Sequence, residues 1–234
     1  MDTEQNKQHE NWKCKIFDLT VISKEHERVL SKVYDLWEEV YTPILKQSGE
    51  TLRSDYFFRC RSAVALLDAF ENPIAFILHN HFYFGINGCN VHSYFDISPQ
   101  AYKDLHRKEE SIITTFEWVT IHPSFSRKKE EIRPAHVVMG LSMLAVQQSN
   151  STGFMGYSRT DFKADKNAEI FGFRALEDLY RHNIHCKLMF ASQADVKTHH
   201  NPAVVDVTNK IWLKTENFSP FFSQKIQTAD RRYA

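Results

Sequence analysis

Thr115-Phe-Glu-Trp-Val-Thr-Ile-His-Pro123 is an aromatic and β-branched run that carries one carboxylate, Glu117, and one imidazole, His122. Such residues in succession favour a strand. The run leads into a basic stretch, Arg127-Lys-Lys129, and then into an apolar helix opened by Arg133-Pro134. Strand, cationic turn and helix N-terminus together offer a flat edge for an extended ligand, positive side chains, and free backbone N–H groups for an anion. A strand alternates faces, so Glu117 goes with Val119 and Ile121, whereas His122 goes with Trp118 and Thr120. The two oppose each other unless a bulge intervenes.

Upstream of this run, residues 13–21 alternate well enough to form a first strand, and Ser23 stands as an N-cap. From there to about residue 46, Val29, Val33, Leu36, Trp37, Val40, Tyr41 and Ile44 recur at three- and four-residue steps. That spacing predicts one long amphipathic helix, or two broken at Pro43. Residues 62–69 and 74–84 read as an antiparallel hairpin turned at Phe70-Glu-Asn-Pro73. Ser98-Pro99 caps a short charged helix ending near residue 110, ahead of the central strand at 112–122. Downstream come an apolar helix over 134–148, a strand over 153–158, a short helix-like run at 167–173, a strand over 186–191, and a helical tail from 201. The expected organisation is a polar leader (1–12), one main domain (13–200), and an extension (201–234) docked on that same domain.

Of the 234 residues, 42% are hydrophobic and 13% aromatic, enough for a substantial core. Lys plus Arg and Asp plus Glu total 29 each, so no global field draws nucleic acid or an anionic membrane, and any anion site must be local. Cys14, Cys60, Cys89 and Cys186 form no C-x-x-C pair, and reduced thiols are expected. The first ten residues are polar and no apolar run approaches about eighteen residues, so neither signal peptide nor transmembrane segment is expected and the location read from the chain is cytoplasmic. His79 and His81 share a strand face, His199 and His200 are adjacent, and His182 and His185 lie three apart. None completes a recognised ligand spacing, so no metal is expected. There is no G-x-S-x-G elbow, and Cys186 opens an apolar strand where an inert thiol is the default.

The order strand, long helix, hairpin, central strand, basic loop, helix, strand, short helix with Gly-Phe, and strand resembles the GNAT superfamily of N-acyltransferases. The resemblance spans roughly residues 13–192 and is carried by Val119-Thr-Ile-His-Pro-Ser-Phe125 and Asn167-Ala-Glu-Ile-Phe-Gly-Phe173. It implies an α/β fold of α+β type: a central mixed, mostly antiparallel sheet of about six to seven strands, flanked by helices and splayed at the central strand. It also implies a pantetheine thioester donor, acyl-CoA or acyl-carrier protein, laid along Val119, Thr120 and Ile121, with Asn167 and Phe171 beside its thiol end. The donor's phosphate belongs near Arg127, Arg133 and the amides of Ala135, His136 and Val137. His136 and Val138 stand where the family places small residues, an arrangement suited to a single phosphate. In this respect the chain is similar to the branch that makes acyl-homoserine lactones or long-chain N-acyl amino acids.

Acyl transfer to an amine needs a neutral nitrogen, a group to take its proton, and donors for the developing oxyanion. Glu117 is the candidate base and His122 the second candidate; the blander readings are a surface ion pair for Glu117 and a strand-end backbone contact for His122. Where the family often has a Tyr acid before Gly-Phe, this chain has Phe171, which leaves Tyr157 to serve the leaving thiolate or to act as a buried structural phenol. Trp37, Tyr41, Phe82 and Phe84 are expected to line an acyl or acceptor pocket. The expected partners are a small amine acceptor such as an amino acid and, as alternative donor, acyl-carrier protein. The rival reading is a GNAT-fold ligand-binding or scaffold protein without catalysis.

Overall fold

The computed structural model describes residues 9–84, 92–106, 112–126 and 132–223. Its strands are β1 (Lys13–Asp18), β2 (Ser62–Leu67), β3 (Pro73–Tyr83), β4 (Ile112–Ile121), β5 (Gly153–Arg159), β6 (Arg174–Arg181), β7 (Ile184–Ser192) and β8 (Glu216–Asn217). They form one sheet in the order β6-β7-β5-β4-β3-β2-β1-β8. The β4–β5 and β1–β8 pairs are parallel and the others antiparallel. The helices are α1 (Lys24–Gln47), α2 (Asp55–Phe58), α3 (Pro99–His106), α4 (Pro123–Ser126), α5 (Pro134–Gln147), α6 (Ala164–Ile170) and α7 (Pro202–Trp212).

Alternation along the strands gives each face its own core. Ile16, Val64, Ile77, Phe116 and Phe154 face α5 and α7, whose Val137, Leu141, Val204 and Ile211 close that side. On the other face Phe17, Ala63, Ala65, Phe76 and Leu78 pack under α1, where Val33 and Trp37 are wholly buried. The segment between β3 and β4 crosses the same face further along, setting Tyr94, Phe95 and Leu105 on Ile113, Met155 and Phe190.

Two sequence readings change and one open alternative is settled. Among the described residues the sheet has eight strands rather than about six to seven, because β6 and the two-residue β8 are strands that the chain does not advertise. In β6 a register shift between Ala175 and Glu177 breaks the period of two, so Leu176 and Leu179, both packed on the third core cluster, stand three apart as they would on a helix. Helix α1 runs unbroken through Pro43, which is exposed, so water reaches the backbone carbonyl that the proline leaves without a donor. Trp12, assigned to the polar leader, is 7% exposed and joins the core on the α5 side.

The sheet parts at its middle. β5 pairs with β4 only from Gly153 to Gly156, opposite Ile113 to Phe116. Beyond that, β4 continues on β3 alone and β5 on β7 alone. At the last paired position Gly156 lies so close to β4 that a Cβ would sit 2.9 Å from the Phe116 carbonyl oxygen.

Candidate active site

A bulge in β4 shapes the site. Leu78 of β3 pairs with Glu117 and Phe76 with Thr120, so Ile77 alone spans both Trp118 and Val119. Trp118 takes φ 51, a left-handed conformation unusual for a bulky side chain and costing of order 1 kcal/mol. It is held there by rings: Trp37 at 5.5 Å, Tyr41 at 4.7 Å and Tyr56, stacked, at 5.7 Å between centroids. The extra residue cancels one alternation, so Glu117 and Trp118 both lie on the α1 face. Val119 is then left at the open edge, 42% exposed, its carbonyl accepting from the Tyr41 hydroxyl at 2.8 Å.

Glu117 is 6% exposed. One carboxylate oxygen accepts from Thr115 Oγ1 at 2.7 Å; the other meets Cys60 Sγ at 3.9 Å and the Arg59 guanidinium at 3.7 Å. Burial raises its pKa, and the Thr115 hydrogen bond with the charges of Arg59 and Arg181 offsets this only in part. A carboxylate pushed upward is a stronger base, which suits proton removal from an amine. The Cys60 thiol is itself pushed well up by burial and then by Glu117, so it stays a neutral thiol.

Tyr94 lies further along the same sheet face, near enough for the Glu117 charge to act on it, and sequence reasoning missed it. Its backbone carbonyl accepts from Tyr157 Oη at 2.5 Å and from the Arg181 guanidinium at 2.9 Å, and Arg181 also donates to Tyr157 Oη at 2.9 Å. The ring is buried against Tyr157 and Phe82, with centroids at 4.9 and 5.8 Å. Burial, then the charge of Glu117, holds its phenol well above the usual range, yet its hydroxyl has no hydrogen-bond partner among the described residues. Tyr94 lies in a non-periodic connection with no motif around it, and Arg59 and Cys60 just follow the single turn of α2; no spacing in the chain marks any of the three.

The expected pair Glu117 and His122 is not assembled. His122 Nδ1 pairs with Ser124 Oγ at 2.7 Å, and its ring meets Phe125, which belongs to the core on the α5 face. The expected pocket of Trp37, Tyr41, Phe82 and Phe84 is divided as well. Trp37 and Tyr41 belong with Trp118 beneath α1, whereas Phe82 and Phe84 pack on Tyr94, Phe95 and Tyr102.

At the donor end, Arg133 is the exposed N-cap of α5, and Arg127 lies outside the described residues. Of the three amides expected to face an anion, those of His136 and Val137 donate to the Arg133 carbonyl. Ala135, at the second helical position, has no carbonyl within the helix to receive its N–H. The His136 ring is committed too. Asn201 N–H donates to His199 Nδ1 at 3.0 Å, so His199 carries its proton on Nε2 and donates to His136 Nδ1 at 3.1 Å. His136 therefore donates from Nε2 to Asn167 Oδ1 at 3.3 Å. Both imidazoles have pKa values lowered mainly by burial, as a neutral relay requires. Phe171, 2% exposed, lies under His199. Among the described residues no group of three or more His, Cys, Asp or Glu is placed to hold a metal, and no helix is long and apolar enough to cross a membrane.

The fold recurs in solved proteins. FeeM, an N-acyl amino acid synthase from uncultured soil microbes, superposes with a TM-score of 0.52 at 9% identity, over 79% of this chain and 92% of its own. The CoA-dependent acyl-homoserine lactone synthase BjaI, solved with SAM and isopentyl-CoA, gives 0.56 at 9% identity over 93% and 99%. The chain has the GNAT fold. A mosquito arylalkylamine N-acetyltransferase like 5b gives 0.56 at 13% identity over 77% and 99%. No protein-family model and no curated protein sequence matches the chain. Within this GNAT fold the likeness to BjaI is the broadest of the three, spanning most of the chain rather than about three quarters of it.

Proposed function

We propose that the chain is an N-acyltransferase that moves an acyl group from a pantetheine thioester, carried by CoA or by acyl-carrier protein, to the amine of a small molecule such as an amino acid. The observation that carries this is Glu117: a buried carboxylate with a raised pKa, set one residue before the bulge that opens the central strand. It is the one charged residue of its strand, and a buried ionisable group with a perturbed pKa at an opening in the sheet marks a candidate functional site. In this reading the donor's arm lies along Val119, Thr120 and Ile121, its phosphate meets Arg133 and the Ala135 amide, and Glu117 takes the amine proton. The splay between β4 and β5, and fold neighbours that are themselves N-acyltransferases, support it.

The test is thiol release from acyl-CoA and from acyl-carrier-protein thioesters in the presence of mixed amines. Release that falls at least tenfold in Glu117→Gln is the expected result. Donor binding without release favours the non-catalytic reading, for which the absence of a tyrosine at Phe171 speaks.

A further inference from the structure

We infer that Thr115 is the positioning residue for Glu117: its hydroxyl engages Oε1 and leaves Oε2 as the oxygen that takes the acceptor's proton. This rests on the acyltransferase reading and goes beyond it, assigning the proton to one atom and the orientation of that atom to a second residue.

Thr115 and Glu117 stand two apart in β4 ahead of the bulge, so their side chains share the α1 face. Three neighbours fix the Thr115 hydroxyl. The Asn80 N–H lies 3.1 Å from Oγ1, Glu117 Oε1 lies 2.7 Å away, and the Asn80 carbonyl lies 3.5 Å away. An N–H only donates, so Oγ1 accepts from Asn80 and its own single proton goes to an oxygen. The nearer oxygen is charged and takes it. The result is a chain of fixed direction, from Asn80 N–H to Thr115 O–H to Glu117 Oε1. Thr115 is wholly buried and Asn80 nearly so, and bulk water does not compete for this chain.

Oε2 is held loosely by comparison. The Arg59 guanidinium stands 3.7 Å from it, beyond a well-made N–H···O bond, and the Cys60 thiol, a weak donor, stands at 3.9 Å. That thiol has a second acceptor, the Tyr56 carbonyl at 3.6 Å, to which it turns when Oε2 gains a proton. The Arg59 side chain is 34% exposed whereas Thr115 is sealed, so Oε2 lies on the side of the carboxylate that solvent reaches. Asn80 orders both sides, because it also donates from Nδ2 to the Arg59 carbonyl at 3.2 Å.

In the reaction the amine nitrogen bonds to the thioester carbonyl carbon and its proton passes to Oε2. The C–S bond breaks with its electron pair leaving on sulfur, and the proton on Oε2 then passes to that thiolate, restoring the carboxylate. Oε1 keeps the Thr115 bond throughout, so the carboxyl group does not turn between the two transfers. A proton on Oε1 instead confronts the Thr115 proton and drives it to the carbonyl at 3.5 Å.

The same bond sets the pH window. The charged and titratable groups that face Glu117 are Arg59 and Cys60 after α2, Arg181 of β6, and Tyr94 of the β3–β4 connection. Burial raises the Glu117 pKa, and the Thr115 bond is the largest influence opposing it. Its removal raises the pKa further, which moves the acid limb of the rate profile to higher pH.

The experiment compares the full wild-type chain with Thr115→Ser, Thr115→Cys and Thr115→Val by two readouts. Infrared difference spectra over a pH titration follow the Glu117 carboxyl band, assigned by its loss in Glu117→Gln. Thiol release from acetyl-CoA and octanoyl-CoA, with mixed amino acids and arylalkylamines as acceptors, gives kcat and the KM for acyl-CoA over the same pH range. Thr115→Val is expected to raise the carboxyl midpoint by about one pH unit or more. At a pH above both midpoints it should also lower kcat about tenfold with little change in KM. Thr115→Ser should match the wild type and Thr115→Cys, a weaker donor, should fall between; these two decide the matter should the valine variant not fold. An unmoved midpoint, an unchanged kcat above both midpoints, or a serine variant that behaves like the valine one overturns the assignment and leaves the acyltransferase reading standing. No thiol release from the wild type overturns both.

Discussion

Acid should weaken this fold through His79, by an amount the structure sets. His79 is wholly buried on β3; Nδ1 faces the Thr115 carbonyl at 3.0 Å and Nε2 faces Ser142 Oγ at 3.2 Å. A carbonyl only accepts, so Nδ1 carries the proton and Nε2 accepts from Ser142, a fully satisfied neutral ring. Burial lowers its pKa from 6.5 to about 4, the Thr115 carbonyl opposing only in part. The folded value lies below the unfolded one, so its contribution is complete above pH 6.5 and is lost as pH falls from 6.5 toward 4, where the unfolded chain takes up a proton the folded chain refuses. Linkage puts the loss at about 2 kcal/mol by pH 5 and about 3 kcal/mol by pH 4. His81, buried two residues on and also lowered well by burial, pulls the same way. Urea unfolding at pH 7 and pH 5 measures this in wild type and in His79→Gln, which keeps one donor and one acceptor. The wild type should lose about 2 kcal/mol more than the variant over that interval. Equal losses refute the argument, whatever the variant's absolute stability.

Three further outcomes follow from the site. Tyr41, whose phenol burial pushes up to about 12, donates to the Val119 carbonyl that a donor amide needs in the proposed arrangement; Tyr41→Phe should then tighten acetyl-CoA binding several-fold by calorimetry, and unchanged affinity separates the two roles. Arg133→Glu should raise the KM for acyl-CoA at least tenfold with a smaller change in kcat, and a KM indifferent to it removes the α5 start from the donor site. Gly172 has φ +94, and a Cβ there would stand 2.0 Å from the Asp195 carbonyl oxygen; Gly172→Ala should cost about 3 kcal/mol or more in denaturant unfolding, and a loss below about 1 kcal/mol contradicts the packing.

The parts of this fold that were legible in the chain are those whose periodicity survives in one element. The 24 residues of α1 repeat their apolar stripe across Pro43, and β2, β3, β5 and β7 are apolar enough to be read as buried strands. Glu117 could be found because a lone carboxylate in an apolar strand is conspicuous. What escaped depends on interruptions of period. The bulge at Trp118 changes which residues share a face, so alternation separates Glu117 from Trp118 while the structure sets them side by side. The shift in β6 gives a strand a helical spacing. Tyr94 sits where no period exists, and it joins Ile113, Met155 and Phe190 in a cluster that no spacing announces.

The same logic explains why this GNAT fold tolerates His136 where a small residue is expected. A small residue there lets several amides close on a diphosphate; an imidazole blocks that approach unless it is turned aside. Here it is turned aside by the relay from Asn201 through His199 to Asn167, which ties the first turn of α5 to α6 and to the segment that enters α7. The relay uses both nitrogens of each ring, so neither histidine has a proton to spare for an anion while neutral. In the proposed donor site, anion recognition at this helix start therefore falls to the Ala135 amide and the Arg133 side chain, a pair suited to one phosphate group rather than two. A donor with a single phosphodiester thus meets fewer unmet demands at this end than one with a diphosphate. The strength of the thiol-release reaction with carrier-protein relative to CoA donors measures how far that difference is felt.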